Sequence, residues 1–260
     1  MGEQTEQTTP RSRWGPLWPL GEALRFLTIF PMPGMPPMAE QSIARAIPLF
    51  PLAGAVIGAL LVGLGLACGV LWDAWVRSVL IVVGWGIVTS GLHLDGLSDT
   101  FDAVMSWQTR ERKLEIMKDS RIGTMGALAL IAVLALKVTW LHAASDGWVG
   151  AVWLAPVLGR WADTYGIFRF PPARAGGLGR EFQAQARRGD FAIATATAVG
   201  LAIILAGPRG LLALALVWGV SSGLARWWTR DLGGLTGDTY GALCEIAEVV
   251  TLATLAATVN

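Results

Sequence analysis

Charge is scarce in this sequence. Only 15% of its 260 residues are Asp, Glu, Lys or Arg, where soluble domains run nearer about 25%. That shortage excludes an ordinary soluble domain with a fully hydrated surface. Histidine and cysteine are scarcer, with two of each. Cys68 and Cys244 each stand alone in an apolar segment, and no Cys-x-x-Cys or Cys/His spacing suggests zinc. Both are expected to be small packing residues. No basic run is long enough for a nucleic-acid partner, and the formal net charge is +1. The first twenty residues are polar and then rich in Trp and Pro, without the apolar core of a signal peptide. No internal repeat is evident.

Apolar residues fill the space that charge leaves. The chain is 53% hydrophobic with a mean hydropathy of +0.53, and it carries 32 Gly and 13 Trp. Glycine is enriched where transmembrane helices pack closely. The expected fold is all-α, a polytopic transmembrane bundle forming one integral membrane domain over 1–260. A spanning helix needs roughly 20 mostly apolar residues. Seven segments qualify, at about 48–71, 75–93, 124–142, 147–167, 190–206, 210–228 and 239–258. In the first, Gly54/Gly58 and Gly65/Gly69 mark a close-packing face. Before it, within the N-terminal segment 1–44, GEALRFLTIFPMP reads as a short amphipathic helix at the membrane surface, stopped by prolines.

The basic residues orient this arrangement. Most of the 20 Lys and Arg fall on one side, before the first span and in the loops 94–123, 168–189 and around 226–230. By the positive-inside rule that side, with the N-terminus, is cytoplasmic. Trp107, Trp161, Trp227 and Trp228 also lie toward it and are read first as interfacial anchors.

HLDGLSDTFDA, at the end of the second span, is the anomaly in a chain so poor in charge. Asp95, Asp99 and Asp102 are spaced i, i+4, i+7, which places them on one face of a helix. Three adjacent carboxylates repel unless protonated, hydrated or bound to a cation. A Mg²⁺ ion takes oxygen ligands and is usually held by one or two carboxylates plus substrate phosphates. The competing reading is a solvated helix end. His93 orients an aspartate or a phosphate, or caps the helix.

Further charged residues fall toward the same side. Arg160 and Asp163 share a face in GRWADTYG, and Asp238, Glu245 and Glu248 line one face of GDTYGALCEIAEVV with Gly241. Acids inside a membrane are expensive and by default suggest function. The other reading pairs the glutamates with Arg160 or Lys137. Lys118, Asp119, Ser120 and Arg121 meet Gly123 and Gly126 at the start of the third span. Two cations, a hydroxyl and freed amides at a helix N-terminus make a phosphate cradle, although basic residues beside a span also serve topology. The Pro/Gly-rich loop 168–189 is read either as a flap carrying Arg174, Arg180, Arg187 and Arg188 or as a basic loop that sets orientation. Carboxylates for a metal beside cations for phosphate suggest phosphoryl transfer.

At HLDGLSDTFDA and KDSRIGTMG, with RFLTIFPMP, GRWADTYG and GGLTGDTYGALCEIAE in order along the chain, the sequence resembles the cobalamin synthase (adenosylcobinamide-GDP ribazoletransferase) family. Two positions depart from the pattern, Leu94 where an acid is frequent and Ala103 where glycine is. The resemblance implies a multi-pass enzyme of the bacterial inner membrane, with its active site facing the cytoplasm. It implies a donor, adenosylcobinamide-GDP, an acceptor, α-ribazole or its 5′-phosphate, and Mg²⁺ as cofactor. Catalytic roles fall on His93, Asp95, Asp99 and Asp102, the three aspartates also as metal ligands. Substrate binding falls on Lys118, Asp119, Ser120, Arg121, Arg160, Asp163, Asp238, Glu245 and Glu248. The other partner is the lipid bilayer, and a homo-oligomer stays open. Two alternatives are weighed beside this. One is a CDP-alcohol-type phospholipid phosphotransferase. The other is a cation- or proton-coupled transporter, ranked lower because the acids gather at one membrane face rather than the midplane.

Overall fold

The structure, a computed structural model, describes residues 15–35, 40–174 and 187–257, together with 176, 180, 182 and 184. Arg188 belongs to a described helix, but its side chain lies outside the described residues. Regular structure among the described residues is helical, apart from one isolated parallel bridge between Pro172 and Leu235. Among the described residues, four helices are long and apolar enough to cross a membrane: Ile43–Cys68, Thr124–Ala143, Gly189–Leu232 and Gly237–Ala256.

Helix α1 (Trp18–Leu27) is amphipathic as expected, but its inner face is buried in protein, with Ala23 and Leu27 inaccessible and Phe26 stacked on Phe50. It therefore packs on the bundle instead of only lying on a membrane surface. A short helix α2 (Glu40–Ala46) leads through a 3-10 turn into α3 (Phe50–Cys68). The small residues of α3 do what their spacing suggests. Side chains at Gly54 and Gly58 would collide with the backbone of Pro156 and Trp153, and one at Gly65 with Trp148 and Ile81, while Gly69 ends the helix.

The second expected span divides. Helix α4 (Ala74–Val88) ends at Ser90 and Gly91, both in left-handed conformation (φ 54° and 64°), and α5 (Leu92–Val104) leaves at 89° to it. The motif HLDGLSDTFDA is thus a helix of its own. The loop 94–123 is largely helical too, with α5 followed by α6 (Arg110–Ile116), which Thr109 caps. Helix α7 (Thr124–Ala143) follows. Helix α8 (Trp148–Arg169) is buried on every face over its inner half and forms the axis of the bundle.

Helix α9 (Arg188–Leu232) breaks at Gly207, whose φ of 57° and ψ of −137° are not helical, before Pro208. The backbone at Gly210 packs on the Ala202 carbonyl. Eight residues of straight helix would separate them by about 12 Å, so the chain folds back into two arms. Helix α10 (Gly237–Ala256) then runs against α5 and α8, opened by the reciprocal cap of Thr236 and Thr239.

Candidate active site

Three motif blocks meet where α5, α8 and α10 converge. A cavity of about 160 Å³ there is lined by His93, Asp95, Gly96, Asp163, Gly237, Asp238, Tyr240 and Gly241, with Phe26, Phe50 and Phe182 on its apolar side. Small residues bring the helices together. A side chain at Gly96 would meet the Asp238 carbonyl oxygen at 2.7 Å, and one at Gly241 would meet the His93 backbone at 3.1 Å. The Asp95 carboxyl is exposed and Asp99 and Asp238 are half-buried. A second, larger cavity of about 700 Å³ shares Phe26, Leu92 and Asp95 with the first and continues past Ser98 to Ile122 and Leu130. Asp95 therefore stands between two spaces.

The carboxylates form a negative cluster, but not quite the expected one. The charges of Asp95, Asp238 and Asp102 all bear on Asp99, opposed by Arg174. Asp238, expected as a substrate contact, joins the acidic set. Asp102 is drawn the other way. Its Oδ2 accepts a hydrogen bond from the Gly123 N–H at 2.7 Å and its Oδ1 one from the Gly126 N–H at 2.8 Å. Helix α7 begins with no side-chain cap of its own, and Asp102 supplies the missing acceptor from α5. The amides expected to cradle phosphate are thereby occupied. Among the described residues, ligand-type atoms come within 4.8 Å of one another in the set His93, Asp163 and Cys244, not in the triplet Asp95, Asp99 and Asp102.

The basic segment after α6 is exposed. Arg121 holds Asp119 by a side-chain pair at 2.6 Å and pushes its carboxyl down to about 2. Lys118 and Ser120 stand at the surface beside this pair. Arg174, from the loop 168–189, reaches the acids. Its guanidinium bonds the Leu114 carbonyl at 3.0 Å and lies 3.9 Å from Asp238 Oδ2. The Pro172–Leu235 bridge sets its position, since Ala173 N–H donates to the Leu235 carbonyl and Leu235 N–H to that of Pro171, both at 2.8 Å. Gly234, with φ 156°, sits so close to Pro171 and Ala173 that any side chain would collide. Arg110 adds bonds to the carbonyls of Leu232 and Ala173. Arg180 and Arg187 are exposed.

The acids within the apolar helix α10 resolve toward pairing. Lys137 Nζ donates to Glu245 Oε2 at 2.6 Å and to Glu248, and Arg160 donates to the other oxygen of Glu248. All four are buried, Arg160 and Glu248 completely. Arg160, Glu245 and Glu248 thus hold one another and are not among the residues lining the cavity. A charge left alone in such surroundings costs several kcal/mol, so they belong together. Asp163 behaves differently, with Oδ2 3.3 Å from His93 Nε2 at the cavity wall.

Some features carried no local signal. Lys113, one of the basic loop residues, is buried against Asp231 at 2.7 Å. Of the four tryptophans read as interfacial anchors, Trp161 and Trp228 are buried and Trp107 and Trp227 are exposed. The two cysteines are free and buried, as expected. Phe26, Phe50, Phe182 and Tyr240 were not expected at the site. The recurrence of Phe26 inside the RFLTIFPMP block and of Tyr240 inside GDTYG was the available hint.

The fold and site define an all-helical protein, among its described residues, with helices apolar enough to cross a membrane and an acid-lined cleft where three sequence motifs meet at one end of the bundle. Comparison with known proteins narrows the class. The cobalamin-5-phosphate synthase family matches residues 19–256, and the chain belongs to it. A protein of Roseiflexus sp. (strain RS-1) named adenosylcobinamide-GDP ribazoletransferase is 66% identical over 97% of this chain and 94% of its own length. Proteins of the same name from Herpetosiphon aurantiacus and Desulforamulus reducens are 53% and 40% identical, over 93% and 87% of this chain and 97% and 91% of theirs. No solved structure matches.

Proposed function

We propose that this chain is a membrane transferase that joins adenosylcobinamide-GDP to α-ribazole or α-ribazole 5′-phosphate and releases GMP. The observation that carries the reading is the cavity in which His93 and Asp95, Asp163, and Asp238 meet from three separate blocks of the family's sequence. A ribose hydroxyl of the acceptor attacks the phosphoryl group attached to cobinamide, and GMP leaves.

The acidic set fits a hard divalent cation. Every donor of Asp95, Asp99 and Asp238 is a carboxylate oxygen, and Mg²⁺ needs only one or two carboxylates when phosphates complete its shell. In this reading Asp95 and Asp99 hold it, with Asp238 beside them and Asp102 bracing the helix that carries them. When bound, Mg²⁺ supplies charge neutralisation at the pyrophosphate. In the same reading Arg174 and Lys118 meet phosphate oxygens from the protein side. A carboxylate of the set, or His93, takes the acceptor proton. The closure of α5 on α10 at Gly96 keeps these groups in register.

The long apolar helices suit a multi-pass protein of the bacterial inner membrane. Counting α4 with its bend, α8 and both arms of α9, the bundle has seven spans. The basic loops then put the N-terminus and the site in the cytoplasm.

The test is the purified protein in liposomes with Mg²⁺, adenosylcobinamide-GDP and α-ribazole 5′-phosphate. GMP and a corrinoid product are expected. Their absence from competent liposomes removes the reading.

A further inference from the structure

Buried polar atoms nearly always find partners, and those that do not call for an explanation. His93 Nδ1, both carboxylate oxygens of Asp163 and the Tyr240 hydroxyl are shut from solvent without a hydrogen-bond partner. The three residues are 5%, 3% and 5% exposed. All of them line the same cavity, and the wall lined by Phe26, Phe50 and Phe182 is apolar. Phe26 stacks on Phe50 with centroids 6.0 Å apart and meets Phe182 edge-on at 6.3 Å. His93 Nε2 and Asp163 Oδ2 approach to 3.3 Å without satisfying the carboxylate. The cavity of about 160 Å³ is well above the roughly 10–15 Å³ that a single water needs, so it admits a ring the size of a sugar.

A ligand that satisfies this wall brings several hydroxyls on one side and a carbon face on the other. We propose that the cavity is a ribose subsite. Asp163 accepts from the two vicinal ring hydroxyls, as an acidic residue does for ribose in dinucleotide-binding folds. His93 Nδ1 and the Tyr240 hydroxyl complete the contacts, and the ring's carbon face rests on the phenylalanines. Asp163 and Tyr240 are thereby specificity-determining residues. The same cavity is lined by Asp95 and Asp238, so a ribose here sits beside the acids proposed to serve the pyrophosphate. The inference rests on the proposed function, in which two riboses flank the reacting phosphates, that of the α-ribazole acceptor and that of the donor's guanosine. The chemistry is shared, and the experiment separates the sources.

Full-length enzyme in liposomes is assayed with each substrate and with an analogue lacking one ribose hydroxyl, an acceptor without the vicinal hydroxyl that does not attack phosphorus and a deoxyguanosine donor. Wild type, Asp163→Asn and Tyr240→Phe are compared. Removing the hydroxyl from the bound ribose is expected to lower wild-type kcat/KM at least about tenfold, because the site's buried acceptors are left unpaired. In the variants that penalty shrinks to under about threefold, because the partner is already gone. A penalty that shrinks in the acceptor arm assigns the acceptor ribose, and one in the donor arm assigns the guanosine ribose. Either sustains the subsite. Tyr240→Phe removes one oxygen and no charge, and carries the test if Asp163→Asn does not fold. Hydroxyl penalties that are equal in wild type and folded variants, in both arms, overturn the subsite alone. Wild type that turns over neither intact substrate overturns the functional reading, and the subsite with it.

Discussion

Asp102 Oδ1 accepts a hydrogen bond from the Gly126 amide at 2.8 Å, so a carboxylate from one helix caps another that begins 22 residues later, at Thr124. The cap lies where a metal ligand was expected. Losing an N-cap acceptor costs typically about 1 kcal/mol. Asp102→Ala is expected to lower thermal stability in detergent by an amount of that order. Asp102→Asn, which keeps one acceptor, should lower it less. A variant with unchanged melting but no turnover would assign Asp102 to the metal instead.

Asp99 carries the opposite expectation. It is half-buried among Asp95, Asp102 and Asp238, where burial and the neighbouring carboxylates disfavour its charge. Asp99→Asn should retain the melting temperature, because it relieves like-charge repulsion, and should lose at least about a hundredfold in turnover at saturating Mg²⁺. Stripping divalent ions from the wild type should abolish GMP release, and Mg²⁺ should restore it. Wild-type turnover by Asp99→Asn would remove it as ligand and base alike.

The buried quartet of Lys137, Glu245, Glu248 and Arg160 is expected to behave as one unit. Lys137→Met leaves Glu245 without its cation, and breaking a buried pair costs on the order of 3–5 kcal/mol. The double variant Lys137→Met/Glu245→Gln keeps Arg160 with Glu248 and should recover most of the loss. Detergent unfolding of the two variants checks this. Equal melting of single and double variants would count against the pairing.

Gly96 marks the closest approach of α5 to α10, where a methyl group would meet the Asp238 carbonyl oxygen at 2.7 Å. Gly96→Ala is expected to cost about 1–3 kcal/mol by overpacking and to depress turnover more than Gly86→Ala, whose nearest neighbour would be Leu94 at 3.7 Å. Unfolding and product assays on both variants measure the difference.

Topology has its own check. Met105 and Arg180 are exposed, and Leu71, just beyond α3, is 72% exposed. Single cysteines at 105 and 180, in a chain with Cys68 and Cys244 replaced, should be labelled from one side of the membrane and one at 71 from the other. Labelling of 105 and 180 from opposite sides would break the seven-span arrangement.

Much of this protein is local and was readable from residue order. The apolar lengths marked the helices that later bounded the bundle, and Gly54 and Gly58 lie on the face that meets α8 because a four-residue repeat faces one way on any helix. The spacing of Asp95, Asp99 and Asp102 likewise placed them on one helix face. Only the tertiary structure decided what each acid faces. The left-handed turn at Ser90 and Gly91 sends α5 off at 89° to α4, and that angle, not the spacing, carries Asp102 to the start of α7 and leaves Asp95 and Asp99 beside Asp238. Glu245 and Glu248 have the same chemistry as those aspartates, yet packing gives them Lys137 and Arg160. The physical reason is range. Helix formation depends on neighbours within a turn or two, whereas a buried carboxylate's role depends on which distant group satisfies its charge, and that pairing exists only once the helices have packed.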